Sequence, residues 1–175
     1  MKSLISFILI LTSATSFAEV TSSSANGFSV QIEKSIPTNS QNLYQQFLNI
    51  GQWWDKDHTW FGKSENMFLQ PKAGGCFCEI DGDNQVWHMT VTFVKPNEEV
   101  RMTGGLGPLQ MMGLHGGMSW KFSSIDEQNS KLTLTYNVSG YSKDGLESLA
   151  PIVNQVLQLQ VDKLAAKFNK TESSH

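Results

Sequence analysis

Near the C-terminal end of the chain the side-chain period changes once, and that change limits the folds available to it. Leu132, Leu134, Tyr136 and Val138 alternate with Thr133, Thr135 and Asn137. Met118, Trp120 and Phe122 alternate in the same way with Ser119 and Lys121. A period of two puts every apolar residue on one face of a strand, so both segments read as strands with one dry face. From Leu146 to Phe168 the apolar residues Leu149, Ile152, Val153, Val156, Leu157, Leu164 and Phe168 follow helical spacing instead. Pro151 falls early enough in this segment to be tolerated. A sheet with one dry face needs a cover, and the terminal helix carries the matching stripe.

The preceding elements are shorter. Phe28, Val30 and Ile32 alternate with polar neighbours and read as a strand ended by Pro37. Thr38, Asn39 or Ser40 can cap a helix with the apolar face Leu43, Tyr44, Phe47 and Leu48, which Gly51 stops. Asn66 to Leu69 is a candidate short strand. Cys76 to Ile80 and Val86 to Val94 are strand-like runs, and Asp81-Gly82-Asp83-Asn84 between them is a hairpin signal. Val100 to Thr103 is a further strand. The expected architecture is α+β: strand, short helix, several antiparallel strands and a long C-terminal helix.

The start of the chain bears on compartment. Met1-Lys2, the apolar run Leu4 to Leu11 and the small residues Ser16 and Ala18 have the pattern of a secretory signal peptide over residues 1–18. The run is too short for a membrane span, and no later segment is apolar enough for stable membrane insertion. Removing 18 of 175 residues leaves 157, which suits one domain. The expected layout is a flexible Ser-rich lead-in over 19–27, one domain over 28–170 and a disordered tail over 171–175. The expected location is periplasmic or secreted. A net charge of −3 with interspersed signs argues against nucleic acid as a partner. No cofactor is expected, and the sequence is silent on oligomeric state.

The motifs and their order resemble the helix-grip fold of the START-like, or SRPBCC, superfamily, also called polyketide cyclase/dehydrase-like. The residues that carry the resemblance are WWD (Trp53 to Asp55), GGCFCE (Gly74 to Glu79), VWHMTV (Val86 to Val91) and Lys95-Pro96. GGLGPLQ (Gly104 to Gln110) and YNVSGY (Tyr136 to Tyr141) leading into GLESLAPIVNQVL complete the set. The resemblance covers about Phe28 to Phe168, in the manner of a bacterial subgroup with no settled activity. It implies a curved antiparallel sheet gripping the long helix around an apolar cavity. Superfamily members hold lipids, sterols, polyketides or plant hormones there, and some catalyse cyclisation or dehydration. It implies no shared catalytic triad.

The leading expectation is therefore a binding protein for a small hydrophobic or amphipathic ligand. Trp53, Trp54, Trp60, Trp87, Met89, Met111, Met112, Trp120 and Tyr136 are the candidate pocket or rim residues. The rival is a cyclase- or hydrolase-like enzyme using Glu79 with His88, or Asp55 with His58, as acid and base. A third reading is a thiol or metal site at Cys76, Cys78 and His88. In an extended strand the two cysteines share a face with Cα atoms ~6.5 Å apart, which makes a bridge between them strained. Packed thiols are the favoured reading. Hairpin register decides the neighbours: a two-residue loop sets Cys78 opposite Trp87, and a three-residue loop sets it opposite His88. The alternation Trp87, Met89, Val91 and Phe93 marks those four as the dry face and sends His88 toward solvent.

Overall fold

Alternating apolar residues fold into long antiparallel strands whose buried faces share one core. The computed structural model describes residues 16–169. Eight strands form one sheet: β1 (Ser16–Ser24), β2 (Gly27–Ile36), β3 (Met67–Leu69), β4 (Cys76–Asp81), β5 (Asn84–Lys95), β6 (Glu99–Thr103), β7 (His115–Ser124) and β8 (Ser130–Ser139). Their spatial order is β1-β2-β8-β7-β6-β5-β4-β3, antiparallel throughout. Two helices cover the dry face, α1 (Ser40–Leu48) and the long α2 (Leu149–Ala166).

The helix boundaries follow local chemistry. Asn39 caps α1, its side-chain oxygen accepting from the Asn42 amide at 2.8 Å. The helix ends at Asn49, and a 3₁₀ turn over Ile50–Gln52 follows, so Gly51 lies beyond the stop. Leu43, Tyr44 and Phe47 are buried, and Phe47 stacks against Trp53, Trp120 and Phe122. In α2, Pro151 sits in the first turn, where its missing N–H has no helical partner to lose.

The Ser-rich lead-in differs from expectation. Glu19 to Ser24 belong to β1 and pair with β2, with a bulge between Val20 and Ser22. Serine is tolerated because β1 is an edge strand with most of its residues solvated. Of the expected signal segment, residues 1–15 lie outside the described residues, as does the expected tail over 171–175.

The β4–β5 hairpin has the two-residue loop: Asp81 pairs with Asn84, Glu79 with Val86 and Cys78 with Trp87. The ladder then skips a residue, because Phe77 pairs with Met89. His88 is the extra residue of a β-bulge, and a bulge reverses the inward–outward alternation beyond it. The expected dry face of β5 is corrected accordingly. His88 and Met89 are both buried, at 3% and 1%, while Trp87 is 50% exposed. A second bulge at Thr92 turns Phe93 outward, where the Arg101 guanidinium lies 4.5 Å over its ring.

The cysteines are corrected too: Cys76 and Cys78 form a disulfide, not packed thiols. Their Cα atoms are 5.5 Å apart, closer than the ~6.5 Å of two extended residues. The contraction falls where β4 meets the bulge, so the strand is not fully extended at that point. The intervening loop is minimal, so the chain-entropy model assigns the bridge no more than about 2 kcal/mol. A Cys76→Ala, Cys78→Ala double variant is therefore expected to remain folded, with its urea-unfolding free energy lowered by about that amount or less. Mass spectrometry of the unreduced wild-type chain should find it two hydrogens lighter than after reduction.

Candidate functional site

The cover over the sheet is incomplete, and the gap is a cavity. Its volume is about 360 Å³, within the range that holds small-molecule ligands. One wall is the inward face of α2: Leu149, Ile152, Val153, Val156 and Leu157. A second is the Gly-rich loop between β6 and β7, through Leu106, Pro108, Leu109 and Met112. A third is the aromatic segment after α1, through Trp54, His58, Thr59 and Trp60, and the sheet contributes His88 and Tyr136.

Each wall is held by specific bonds. The Gly-rich loop is fixed by Tyr136, whose hydroxyl donates to the Gly104 carbonyl and accepts from the Leu106 amide, both at 3.0 Å. Burial pushes this phenol up to about 12, so it stays protonated as both donor and acceptor. Gln110 donates from its side-chain amide to the Trp87 carbonyl at 2.9 Å, tying the loop to β5 beside the bulge. Gly104 is required by space as well as by its φ of +148°: a Cβ there would come within 3.0 Å of the His88 carbonyl.

The aromatic segment is held from two sides. Gln160 of α2 is fully buried, and its Oε1 accepts from the Asp55 amide at 2.8 Å. A backbone N–H can only donate, so the amide orientation follows, and Nε2 donates to His58 Nδ1 at 3.1 Å. His58 therefore carries its proton on Nε2. The Asp55 carboxylate pairs with Lys163 of α2 at 2.6 Å and accepts from the Asp57 amide at 2.8 Å. The Lys163 hydrogen bond, ahead of the other contacts, holds Asp55 below the ordinary carboxylate range. From the sheet side, Glu79 accepts from the Trp60 and Phe61 amides, both at 2.8 Å.

Glu79 and His88 are the buried polar pair, at 0% and 3% exposure. Glu79 Oε2 lies 3.5 Å from His88 Nε2, an ion-pair distance without hydrogen-bond geometry. The imidazole packs on Phe77, with ring centroids 5.1 Å apart. Burial lowers the His88 pKa, and Glu79 opposes that shift only in part.

Of the nine candidate pocket residues, the structure places Trp54, Trp60, Met112 and Tyr136 on the cavity wall. Trp53, Met89 and Trp120 lie in the packed core, Trp53 stacking on Trp54 and Trp120. Trp87 is outside, bonded from its indole N–H to Thr90. Met111 is 84% exposed. Of the four acid–base candidates, His58 and His88 line the cavity, whereas Asp55 and Glu79 support it from behind. The third reading loses its thiolates to the disulfide, and no cluster of three or more His, Cys, Asp or Glu suited to a metal exists among the described residues. Sequence reasoning missed Gln160, and it missed the cavity side chains of α2 other than as a stripe. A glutamine amid that apolar stripe is the signal that marks the position.

A curved antiparallel sheet closed by a long C-terminal helix around such a cavity is the helix-grip, SRPBCC-like fold. Solved structures share it. A conserved protein of unknown function from Enterococcus faecalis matches 91% of this chain and 80% of its own, at 9% identity and a TM-score of 0.60. CalU16 from Micromonospora echinospora matches 91% and 85%, at 10% identity and a TM-score of 0.53. Ara h 8.0201 matches 81% and 97%, at 11% identity and a TM-score of 0.56. At such identities the likeness is one of fold. No family model and no curated protein matches the chain.

Two outcomes test the site. Gln160→Leu leaves the Asp55 amide and His58 without their partner, at an expected cost of about 1–3 kcal/mol in urea unfolding. It should also alter tryptophan emission through Trp54. For His88, the unfolded chain binds a proton below about pH 6.5 that the folded chain resists. Its contribution is therefore complete above that pH and is lost as pH falls. The unfolding midpoint of His88→Gln should accordingly vary less than that of the wild type as pH is lowered from neutral.

Proposed function

We propose that this protein is an exported carrier that holds a small hydrophobic or amphipathic molecule between its sheet and α2. The cavity carries the reading, because its walls are mostly apolar side chains from α2, the Gly-rich loop, the aromatic segment and the sheet. Polar residues on the wall are few, as in sites that bind apolar molecules and orient them by one or two contacts. The resemblance carried by the sequence motifs implies an apolar ligand in this place. Binding is favoured over turnover because the acid–base candidates are engaged structurally: Glu79 accepts two backbone amides and Asp55 is paired with Lys163. Export is supported by the N-terminal pattern and by a disulfide, which persists in oxidising compartments. None of the described helices is long and apolar enough to cross a membrane.

N-phenylnaphthylamine should bind saturably at one site per chain with enhanced, blue-shifted emission. Val153→Trp, which fills the cavity from α2, should weaken that binding at least about tenfold without unfolding the protein. Equal binding by the variant would place the probe elsewhere and remove the basis of the proposal. For export, intact mass of the protein recovered from its native host should give a chain beginning at Glu19.

A further inference from the structure

We propose that the cavity selects apolar molecules bearing an uncharged hydroxyl, and that His88 is the residue that receives it. This rests on the carrier reading and deepens it. Among the described cavity-lining residues, His88 has buried ring nitrogens with no hydrogen-bond partner. Other polar groups on the wall have partners: Tyr136 with Gly104 and Leu106, His58 Nδ1 with Gln160, the Trp54 indole with the His58 carbonyl, Thr59 with the Lys56 carbonyl, and Asp57 with Lys56 at the solvent edge. The His58 Nε2–H and the half-exposed Trp60 indole N–H can only donate. A buried polar group left unpaired is costly, so an unpaired acceptor on a residue of the apolar wall is where a donor brought by a ligand gains most.

The tautomer states which atom. His88 Nε2 faces a Glu79 oxygen at 3.5 Å, and Glu79 already accepts two backbone N–H groups. Two facing lone pairs would repel, so the proton sits on Nε2 and Nδ1 is bare. A bare imidazole nitrogen accepts, and its complement is an O–H donor. Charge argues the same way. Among the described residues no Lys or Arg lines the cavity, and Glu79 lies directly behind His88. A ligand carboxylate would thus meet a second carboxylate in an apolar surrounding, at high cost. Burial disfavours the charged imidazole of His88, so the wall offers an anion little positive charge to pair with.

The test uses three probes of one shape: naphthol, methoxynaphthalene and naphthoate, titrated into the full chain by calorimetry. Naphthol should bind at least about fivefold more tightly than methoxynaphthalene, since only naphthol can donate to Nδ1. Naphthoate should be the weakest. His88→Phe should erase the naphthol preference while leaving methoxynaphthalene binding intact, and His88→Gln, which keeps an acceptor, should retain part of it. In the wild-type chain the ¹⁵N resonance of Nδ1 should shift on adding naphthol and stay in place with methoxynaphthalene. If His88→Phe does not fold, this resonance and His88→Gln decide the matter. Equal affinity for naphthol and methoxynaphthalene, or tightest binding of naphthoate, overturns the inference while leaving the carrier reading in place. Failure of all three probes to bind overturns the carrier reading itself.

Discussion

One helix cannot cover eight strands. At ~4.8 Å between neighbours the sheet is roughly 34 Å across, whereas a helix with its side chains is about 10 Å wide. The 18 residues of α2 pack mainly on β1 and β2 at one end of the sheet, and the remaining apolar surface must be sealed otherwise. Curling of the sheet, α1, the aromatic segment and the Gly-rich loop provide that seal. Where these pieces meet, the cavity is the space they leave. Its apolar lining follows directly, because each wall is the edge of a surface that folding drives out of water.

A composite lid of this kind needs polar fastenings, since loops carry backbone groups that cannot be left buried without partners. The fastenings are a small set of buried side chains: Glu79 to the Trp60 and Phe61 amides, Gln160 to Asp55 and His58, and Tyr136 to Gly104 and Leu106. Each joins a regular element to an irregular one. That division of labour explains why carboxylate and amide groups with the appearance of catalytic candidates serve to hold the walls. It also sets apart His88, which is buried in the same region with no hydrogen-bond partner for its ring nitrogens.

Much of the fold was legible because its signals are local. Alternation in β2, β7 and β8, a helix cap among Thr38, Asn39 and Ser40, and the stripe of α2 each depend on neighbours a few residues apart. The structure has those elements where the spacing put them, with Asn39 as the cap. The two-residue hairpin loop at Gly82-Asp83 was among the registers the turn residues allow. Trp54, Trp60 and Met112 were legible as wall residues because aromatic and methionine side chains in irregular segments suit a pocket rim, and Tyr136 because it lies on the dry face of β8. Trp53 and Trp120 have the same composition yet lie in the core, since a tryptophan's destination depends on what stands opposite it. The strand character of Glu19 to Ser24 was hidden because an edge strand draws on backbone pairing with β2 more than on its own side chains.

What the sequence determined by itself is the α+β order, the single dry face and the covering helix, all consequences of side-chain period. What only the tertiary structure decided is the face on which β5 presents each residue. A single bulge at His88 reverses the alternation, burying the imidazole against Phe77 and Glu79 and turning Trp87 into solvent. The same contraction brings Cys76 and Cys78 together as a disulfide. No local spacing encodes that bulge. It arises where β5 must pair with β4 on one side while passing close to Gly104 on the other, a constraint that exists only once the strands are assembled.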